Sequence, residues 1–215
     1  MVDVRTRRQR RAELTADQLL DAARAVFETE GYQAATVGAI TRAADTAHGT
    51  FYLYFRNKRD IFSRVVYQVC REMYEAGETS WDREEPLESL RSAIRSFLEF
   101  FSCHRGLWRA LIQGALEDPQ LEAMWAELRQ PFIERTERVL ERLDGSGAIQ
   151  PLDTAVWATA LSSMVEWVAF THFVLGQPAA GADSDMDRLV DGLARMWFRA
   201  VFTGADLPAF GATLA

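Results

Sequence analysis

The amino-acid sequence predicts an all-α protein of about nine helices, in which an N-terminal three-helix helix-turn-helix domain precedes a larger helical body. Apolar residues recur at the 3.6-residue helical period in successive segments, N-capping residues precede most of these segments, and no stretch has a convincing strand pattern. The 215 residues are 48% hydrophobic, which is ample material for a buried core. We expect a disordered basic arm at 1–13, domains at 14–60 and 61–203, and a tail at 204–215.

The charges are distributed unevenly along a chain whose net charge is -7. Residues 1–60 carry ten Lys/Arg against eight Asp/Glu, whereas the remainder carries fourteen against twenty-three. This asymmetry is expected if only the N-terminal part meets phosphate. No run approaches the roughly 18 apolar residues that span a bilayer, and no apolar segment follows the Arg-rich start, so a soluble cytoplasmic protein is expected.

The first helix is expected to begin at about residue 16. Thr15 and Gln18 form a capping box, and Leu19, Ala23 and Phe27 follow the helical period. A glycine at position 31 then supplies the helix stop. The arginines that precede this helix could screen phosphates or enter a minor groove, but a solvated tail explains them as well.

The next segment predicts two short helices joined by a tight turn. Thr36 is a second N-cap, which opens a helix over 37–44, and a turn at 45–46 leads to another over 47–55. Phe51 and Phe55, four residues apart, should face the core. The positions that should face outward are Ala47, His48, Thr50, Tyr52 and Tyr54. Such a surface suits a DNA groove, because small residues let the backbone approach base edges while hydroxyl groups bond phosphates.

The body should contain a long connecting helix and five further helices. Asn57 with Asp60 predicts the N-cap of the connecting helix, and Pro131 should bend one of the later helices. The last two helices, expected over 153–175 with cap Asp153 and over 185–202 with cap Ser184, are apolar around much of their circumference. A single core cannot cover every side of both helices, which favours a two-fold four-helix interface between two copies.

The run Gly49-Thr50-Phe51-Tyr52-x-Tyr54-Phe55-x-Asn57-Lys58, preceded by Gly31 and Thr36, resembles the N-terminal domain of TetR-family transcriptional regulators. The resemblance implies a homodimer whose N-terminal domain binds double-stranded DNA at a near-palindromic operator. It also implies that residues 61–203 dimerise the chain and bind a small molecule that releases the DNA, as in a repressor. The contacts with DNA implied by the resemblance are phosphate contacts from Thr36, Tyr52, Tyr54 and Lys58, a further phosphate candidate in Arg42, and base-facing positions at Thr46, Ala47, His48, Gly49 and Thr50.

The C-terminal half is similar to the subgroup of that family that includes the mycobacterial ethionamide-resistance repressor. The stretches ATALSSMVEWVAFTHFVLGQP and MDRLVDGLARMWFRAVFTG carry this similarity. It implies a mostly apolar channel for a small hydrophobic or aromatic effector, in which Glu166 accepts a hydrogen bond or pairs with Arg129. The implied lining is Leu90, Ala93, Phe97, Phe101, Trp125, Arg129, Phe132, Ser162, Val165, Glu166, Phe170 and Trp197.

Two other classes of function compete with a regulator. An enzyme is not expected, because the sequence has no G-x-S-x-G, no Gly-rich phosphate loop and no H-E-x-x-H, and its three histidines are scattered. We expect no cofactor and no metal site for the same reasons. The alternative is a helical small-molecule binding or carrier module that does not engage an operator.

Overall fold

A computed structural model describes residues 4–76, 82, 84–147, 149, 153–177 and 185–202. Within these residues the chain forms nine α-helices and one π-helical turn, and no strand. The prediction of an all-α fold is therefore confirmed. The elements are α1 (Val4–Ala34), α2 (Val37–Ala43), α3 (His48–Phe51), α4 (Lys58–Ala76), α5 (Pro86–Cys103), α6 (Arg105–Ala115), α7 (Pro119–Gly145), α8 (Thr154–Ala169) with its π-helical continuation (Phe170–Val174), and α9 (Met186–Val201).

The start of α1 differs from the prediction. Helical backbone begins at Val4 instead of about residue 16, so most of the expected disordered arm at 1–13 is helical. Arg, Gln, Ala and Glu favour helix, and neither proline nor glycine interrupts residues 4–30. The capping box at Thr15 is therefore absorbed into one continuous helix. The predicted stop, Gly31, interrupts the helix, because the backbone there leaves the helical region, with φ 76° and ψ 176°, before helical residues resume as far as Ala34.

The helix-turn-helix domain is held together by the inward residues that the sequence indicated. Phe51 and Phe55 are completely or almost completely buried, beside Leu19, Phe27 and Ile40. The phenyl rings of Phe51 and Phe55 lie 5.5 Å apart. The predicted N-cap of α2 is also confirmed, since Thr36 Oγ1 accepts a hydrogen bond of 3.0 Å from the Ala39 amide.

The helix α3 is shorter than the predicted span of 47–55, because it ends at Phe51. The start of α4 explains this early end. Asn57 Oδ1 accepts from the Asp60 amide at 2.9 Å, while Asp60 Oδ2 accepts from the Arg56 amide at 2.9 Å. These two hydrogen bonds fix the backbone at 56–60, and residues 52–54 form a turn between the two helices.

The body is formed by α5 to α9, with α4 linking it to the first three helices. α4 packs against α1 on one side and α7 on the other, and α6 packs extensively on α1. α7 begins at the N-cap Asp118 and continues through Pro131, and the predicted N-cap Asp153 of α8 is confirmed. At the end of α8 the Leu175 amide bonds the Phe170 carbonyl at 3.1 Å, which makes the π-helical turn.

The N-cap of α9 also differs from the prediction. Its N-cap is Asp185, whose carboxylate accepts from the Asp187 amide at 3.0 Å, and not Ser184, which lies outside the described residues. Since Asp is as good an N-cap as Ser, the one-residue difference leaves the helix otherwise as expected. The predicted tail at 204–215 also lies outside the described residues.

The two last helices leave large apolar side chains uncovered in the single chain. Trp167 and Met196 are each 60% exposed, and Val156 is similarly exposed. This is the pattern that favoured pairing between two copies of the chain. In the described part of the protein, no helix has the length and apolar character needed to cross a membrane.

Candidate functional site

The surface of α3 that faces away from the core is formed by small and aromatic residues. Ala47, His48 and Gly49 are exposed, and Tyr52 places its ring 5.6 Å from the imidazole of His48. A Cβ atom added to Gly49 would meet no heavy atom within 4 Å, so the fold itself does not require glycine there. Sequence reasoning missed Leu53, which is 78% exposed in the turn after α3. An isolated leucine between two tyrosines carries no pattern that would have identified it.

The other predicted DNA-facing residues are less uniformly placed. Thr36 and Arg42 are exposed at the two ends of α2, while Thr50 and Tyr54 are half-buried. Thr46 Oγ1 is buried and has no hydrogen-bond partner among the described residues, although the Thr46 amide bonds the Thr41 carbonyl at 2.9 Å. The hydroxyl of Thr46 is therefore turned away from the exposed side of α3.

Lys58 lies at the junction between α1 and α4. Its ammonium group donates to the carbonyl oxygens of Tyr32 at 2.7 Å and Gln33 at 3.2 Å, and it lies 4.6 Å from the centre of the Tyr32 ring. Burial lowers the pKa of this lysine. The charge thus satisfies carbonyl groups at the end of α1, a role that the sequence did not predict.

A cavity of about 1110 Å³ lies in the helical body, between α4, α5, α6, α7, α8 and α9. All twelve residues implied by the sequence as a ligand site line it. Its wall also includes residues from α4 and α6 that the sequence did not single out, because their contribution depends on how these helices cross the others. The main additions are Cys70, Met73, Tyr74, Trp108, Leu111 and Ile112.

One polar network interrupts the apolar wall. Arg129 Nε donates to Glu166 Oε2 at 2.6 Å, and Arg129 Nη2 donates to Ser163 Oγ at 2.9 Å. Trp125 Nε1 donates to the other oxygen of Glu166 at 3.3 Å. The expected pairing of Arg129 with Glu166 is confirmed, and it explains how a carboxylate is tolerated in an apolar cavity.

The cavity thiol is chemically inert. Cys70 is buried and unpaired, and burial, assisted by the nearby Glu166 carboxylate, raises its pKa to about 12. A protonated thiol is neither a good nucleophile nor a good metal ligand. Among the described residues, no group of three or more His, Cys, Asp or Glu side chains could hold a metal ion.

The cavity is connected to α1 through the start of α6. Glu28 Oε2 accepts a hydrogen bond of 3.1 Å from the Leu107 amide, and His104 Nδ1 lies 3.3 Å from Glu28 Oε1. Gly106 packs so closely that a Cβ atom there would lie 2.1 Å from the Glu28 carbonyl oxygen. Trp108 of the same helix lines the cavity. The contact between α6 and α1 therefore connects the wall of the cavity with the helix-turn-helix domain.

Two family models match the chain. The model described as "Bacterial regulatory proteins, tetR family" matches residues 19–65. The model described as "Transcriptional regulator EthR, C-terminal domain" matches residues 90–203, just over half of the chain. The first match covers the helix-turn-helix, and the second covers most of the residues that line the cavity.

Individual relatives agree with these matches. The chain is 26% identical over 172 residues to the HTH-type transcriptional regulator EthR of Mycobacterium tuberculosis, covering 78% of this chain and 77% of that protein. It is 32% identical over 128 residues to the Fatty acid metabolism regulator protein of Bacillus subtilis, covering 60% of this chain and 63% of that protein. A TetR-family regulator from Mesorhizobium loti has the same fold, with a TM-score of 0.71 at 21% identity over 89% of this chain and 98% of that one. The chain therefore belongs to the TetR family of bacterial transcriptional regulators, with a C-terminal domain of the EthR type.

Proposed function

We propose that the protein is a homodimeric repressor that binds a near-palindromic operator through α3 and leaves it when a small apolar effector occupies the cavity. The observation that carries the proposal is that the same helices contact both the cavity and the helix-turn-helix domain. α4 and α6 both line the cavity and both pack on α1. Residues 14–60 are the DNA-binding domain in this proposal, residues 61–203 bind the effector and dimerise, and the protein acts in the cytoplasm without a catalytic step.

The proposed contacts with DNA follow from the exposed surface of α2 and α3. Ala47, His48 and Gly49 are small or planar and exposed, which suits close approach to base edges in a major groove. Thr36, Arg42 and Tyr52 are exposed around them, at positions suited to phosphate. Thr50 and Tyr54 contribute their accessible edges, whereas Thr46 and Lys58 would have to change their present contacts to reach DNA.

The proposed release requires two conformations that bind the effector differently. An effector in the cavity presses on Trp108, Leu111 and Ile112 of α6, whose first residues are fixed to Glu28 of α1. A small shift of α6 then changes the position of α1, and with it the spacing between the two α3 helices of a dimer. The effector can shift this equilibrium only by the ratio of its affinities for the two conformations.

The proposal is tested by an equilibrium titration of the full-length protein against a fluorescent duplex from the region upstream of its own gene. We expect binding that is tighter than to a shuffled duplex of the same composition. The logarithm of the affinity should fall linearly with the logarithm of salt concentration, as phosphate contacts require. A folded dimer that binds both duplexes equally would contradict the proposal and favour a small-molecule binding or carrier module.

A further inference from the structure

One face of α7 lines the cavity over most of its length, and its character changes along the helix. The first part presents Trp125, Leu128 and Phe132, whereas the last part presents arginines. At a rise of 1.5 Å per residue, Arg142 lies roughly 15 Å along the helix axis from Phe132. The cavity therefore has an aromatic region and a basic region. The name arginine cluster is used here for Arg135, Arg138 and Arg142.

A continuous row of aromatic rings leads away from the arginine cluster. Tyr74 lies 5.5 Å from Phe132, which lies 6.4 Å from Phe97. The row continues through Phe101, 5.7 Å from Phe97, to Trp108, 5.1 Å from Phe101. These rings form one apolar wall, along which a hydrocarbon chain could remain in contact over its whole length.

Tyr74 contacts two arginines of the cluster at the start of this row. The guanidinium carbon of Arg135 lies 3.5 Å from the centre of the Tyr74 ring, and Arg135 Nη2 donates to the Tyr74 carbonyl at 2.8 Å. Arg138 Nη2 lies 3.5 Å from the Tyr74 hydroxyl oxygen. The same tyrosine thus contacts both the basic region and the first ring of the aromatic row.

Two arginines of the cluster, Arg138 and Arg142, have no strong ion pair among the described residues. Among the described residues that line the cavity, Glu166 is the one carboxylate, and it is already paired with Arg129. Arg138 has an exposed pairing with Glu134 at 3.9 Å, a distance at which such a pair contributes little. Arg142 makes no ion pair within the part of the chain that the structure describes. These two arginines lie in the part of the protein that is otherwise acidic.

We propose that the effector is an amphiphile with an anionic headgroup, whose chain lies along the aromatic row and whose headgroup is bound by the arginine cluster. The inference rests on the proposed function, because it names the chemical class of the ligand for the same cavity. A carboxylate or a phosphate monoester would satisfy the cluster, since guanidinium groups bind both with paired hydrogen bonds. A neutral chain would leave Arg138 and Arg142 without a strong anionic partner, and a cationic headgroup would be repelled by them.

The inference is tested with four probes that share a twelve-carbon chain: dodecanoate, dodecyl phosphate, 1-dodecanol and dodecyltrimethylammonium. Binding to the full-length protein is measured by calorimetry and by tryptophan fluorescence below the micelle concentration of each probe. We expect the two anions to bind at least about tenfold more tightly than the alcohol, and the cation to bind more weakly than the alcohol. The advantage of the anions should shrink as salt is raised, while the affinity for the alcohol stays unchanged.

Substitutions in the cluster locate the headgroup. Arg138→Gln and Arg142→Gln should each reduce the affinity for dodecanoate by about threefold or more and leave the affinity for 1-dodecanol unchanged. Arg71→Gln is the matched control, because Arg71 is an exposed arginine of α4 outside the cavity lining and loses the same charge. This control should leave the affinities for all four probes unchanged.

The outcomes separate this inference from the proposed function. Equal binding of dodecanoate and 1-dodecanol, or an anion preference that survives both cluster substitutions, overturns the inference, and operator release by the bound chains would still support the proposed function. The absence of binding by any probe also overturns the inference. Tight anion binding that leaves the operator affinity unchanged supports the assigned ligand class and contradicts ligand-controlled release.

Discussion

At the scale of single residues, Gly49 is a position where the fold does not require glycine but the proposed DNA binding does. The position is exposed on α3, has open space where a side chain would begin, and has no positive φ angle that would favour glycine. Helical glycine is normally less stable than alanine. Packing within the chain therefore does not explain this glycine, whereas the proposed close approach to DNA does.

We predict that Gly49→Ala leaves stability unchanged or raises it by up to about 1 kcal/mol, while operator affinity falls at least about tenfold. Thermal unfolding and fluorescence anisotropy with the operator duplex measure the two effects. Gly145→Ala is the control, because it also enters open space but lies at the end of α7, and it should change neither quantity. Unchanged operator affinity in Gly49→Ala would remove α3 from the proposed DNA contacts.

Residue positions that follow from local pattern were predictable, and positions that depend on helix crossings were not. The inward roles of Phe51 and Phe55 follow from spacing alone, and the resemblance placed Phe97 and Phe132 on the cavity wall. The carbonyl contacts of Lys58 arise because α4 crosses the end of α1, and the placement of Tyr74 depends on how α4 meets α7. Sequence periodicity does not encode such crossings.

At the scale of helices, the ends of α1 and α3 show how neighbouring signals compete. A capping box at residue 15 did not begin a helix, because the preceding residues favour helix and contain no breaker. The pair Asn57 and Asp60 did begin α4, and the residues just before this pair are not helical. An N-capping residue thus predicts a helix start where non-helical residues precede it. Within a run of helix-favouring residues it does not begin a new helix.

The contact of α6 with α1 gives the first prediction at this scale. Gly106→Ala would place a Cβ atom 2.1 Å from the Glu28 carbonyl oxygen, so α6 must move away from α1. We predict a loss of about 1 to 3 kcal/mol in the free energy of unfolding, measured by urea denaturation. The same variant should change the ratio of operator affinities with and without ligand.

The opposite result would be informative, because α6 is the proposed connection between the cavity and the DNA-binding domain. If Gly106→Ala were destabilised yet kept the wild-type ratio of operator affinities, the signal would have to pass through α4 alone. Gly145→Ala again serves as the control for adding a methyl group to a helix.

The attachment of α9 to α5 gives a pH-dependent prediction. Asp191 bonds Arg91 of α5 and Arg195 of its own helix, and although burial alone would raise its pKa, these two arginines lower it below the ordinary value of 3.8. A lowered carboxyl pKa contributes stability that is complete above the ordinary value and is lost as pH falls through the lowered one.

We therefore predict that Asp191→Asn lowers the free energy of unfolding by about 1 to 3 kcal/mol at pH 7. The difference from the wild type should shrink once the pH falls below the ordinary value of 3.8. Asp187→Asn, in an exposed pairing on the same helix, should cost less than about 1 kcal/mol. Urea unfolding at several pH values measures both variants, and a difference that grew toward low pH would contradict the assigned role of Asp191.

At the scale of the whole molecule, the proposed DNA binding by α3 depends on the proposed dimerisation through the exposed faces of α8 and α9. One helix-turn-helix contacts only half of a near-palindromic site, so affinity requires two copies held at a fixed spacing. In the proposed dimer, exposed apolar residues such as Trp167 and Met196 provide the surface for that pairing. The cavity lies between these regions, so a ligand bound there could alter the spacing of the two α3 helices in the proposed dimer.

We predict that Met196→Glu weakens dimerisation by at least about a hundredfold, because it buries an unpaired charge in an apolar interface. Sedimentation should show monomers at micromolar concentration, with operator binding lost in parallel. Leu116→Glu is the control, since Leu116 is equally apolar and highly exposed but lies outside α8 and α9. A Met196→Glu protein that stayed dimeric would place the interface elsewhere.

The most direct test of the central claim is a linked titration, in which operator affinity is measured with and without a cavity ligand, and ligand affinity with and without operator. Dodecanoate and 1-dodecanol are the first ligands to use. If binding in the cavity releases the DNA, each ligand that occupies it lowers operator affinity, and the operator lowers the affinity for that ligand by the same factor. A ligand that saturates the cavity while both affinities stay constant would contradict the account.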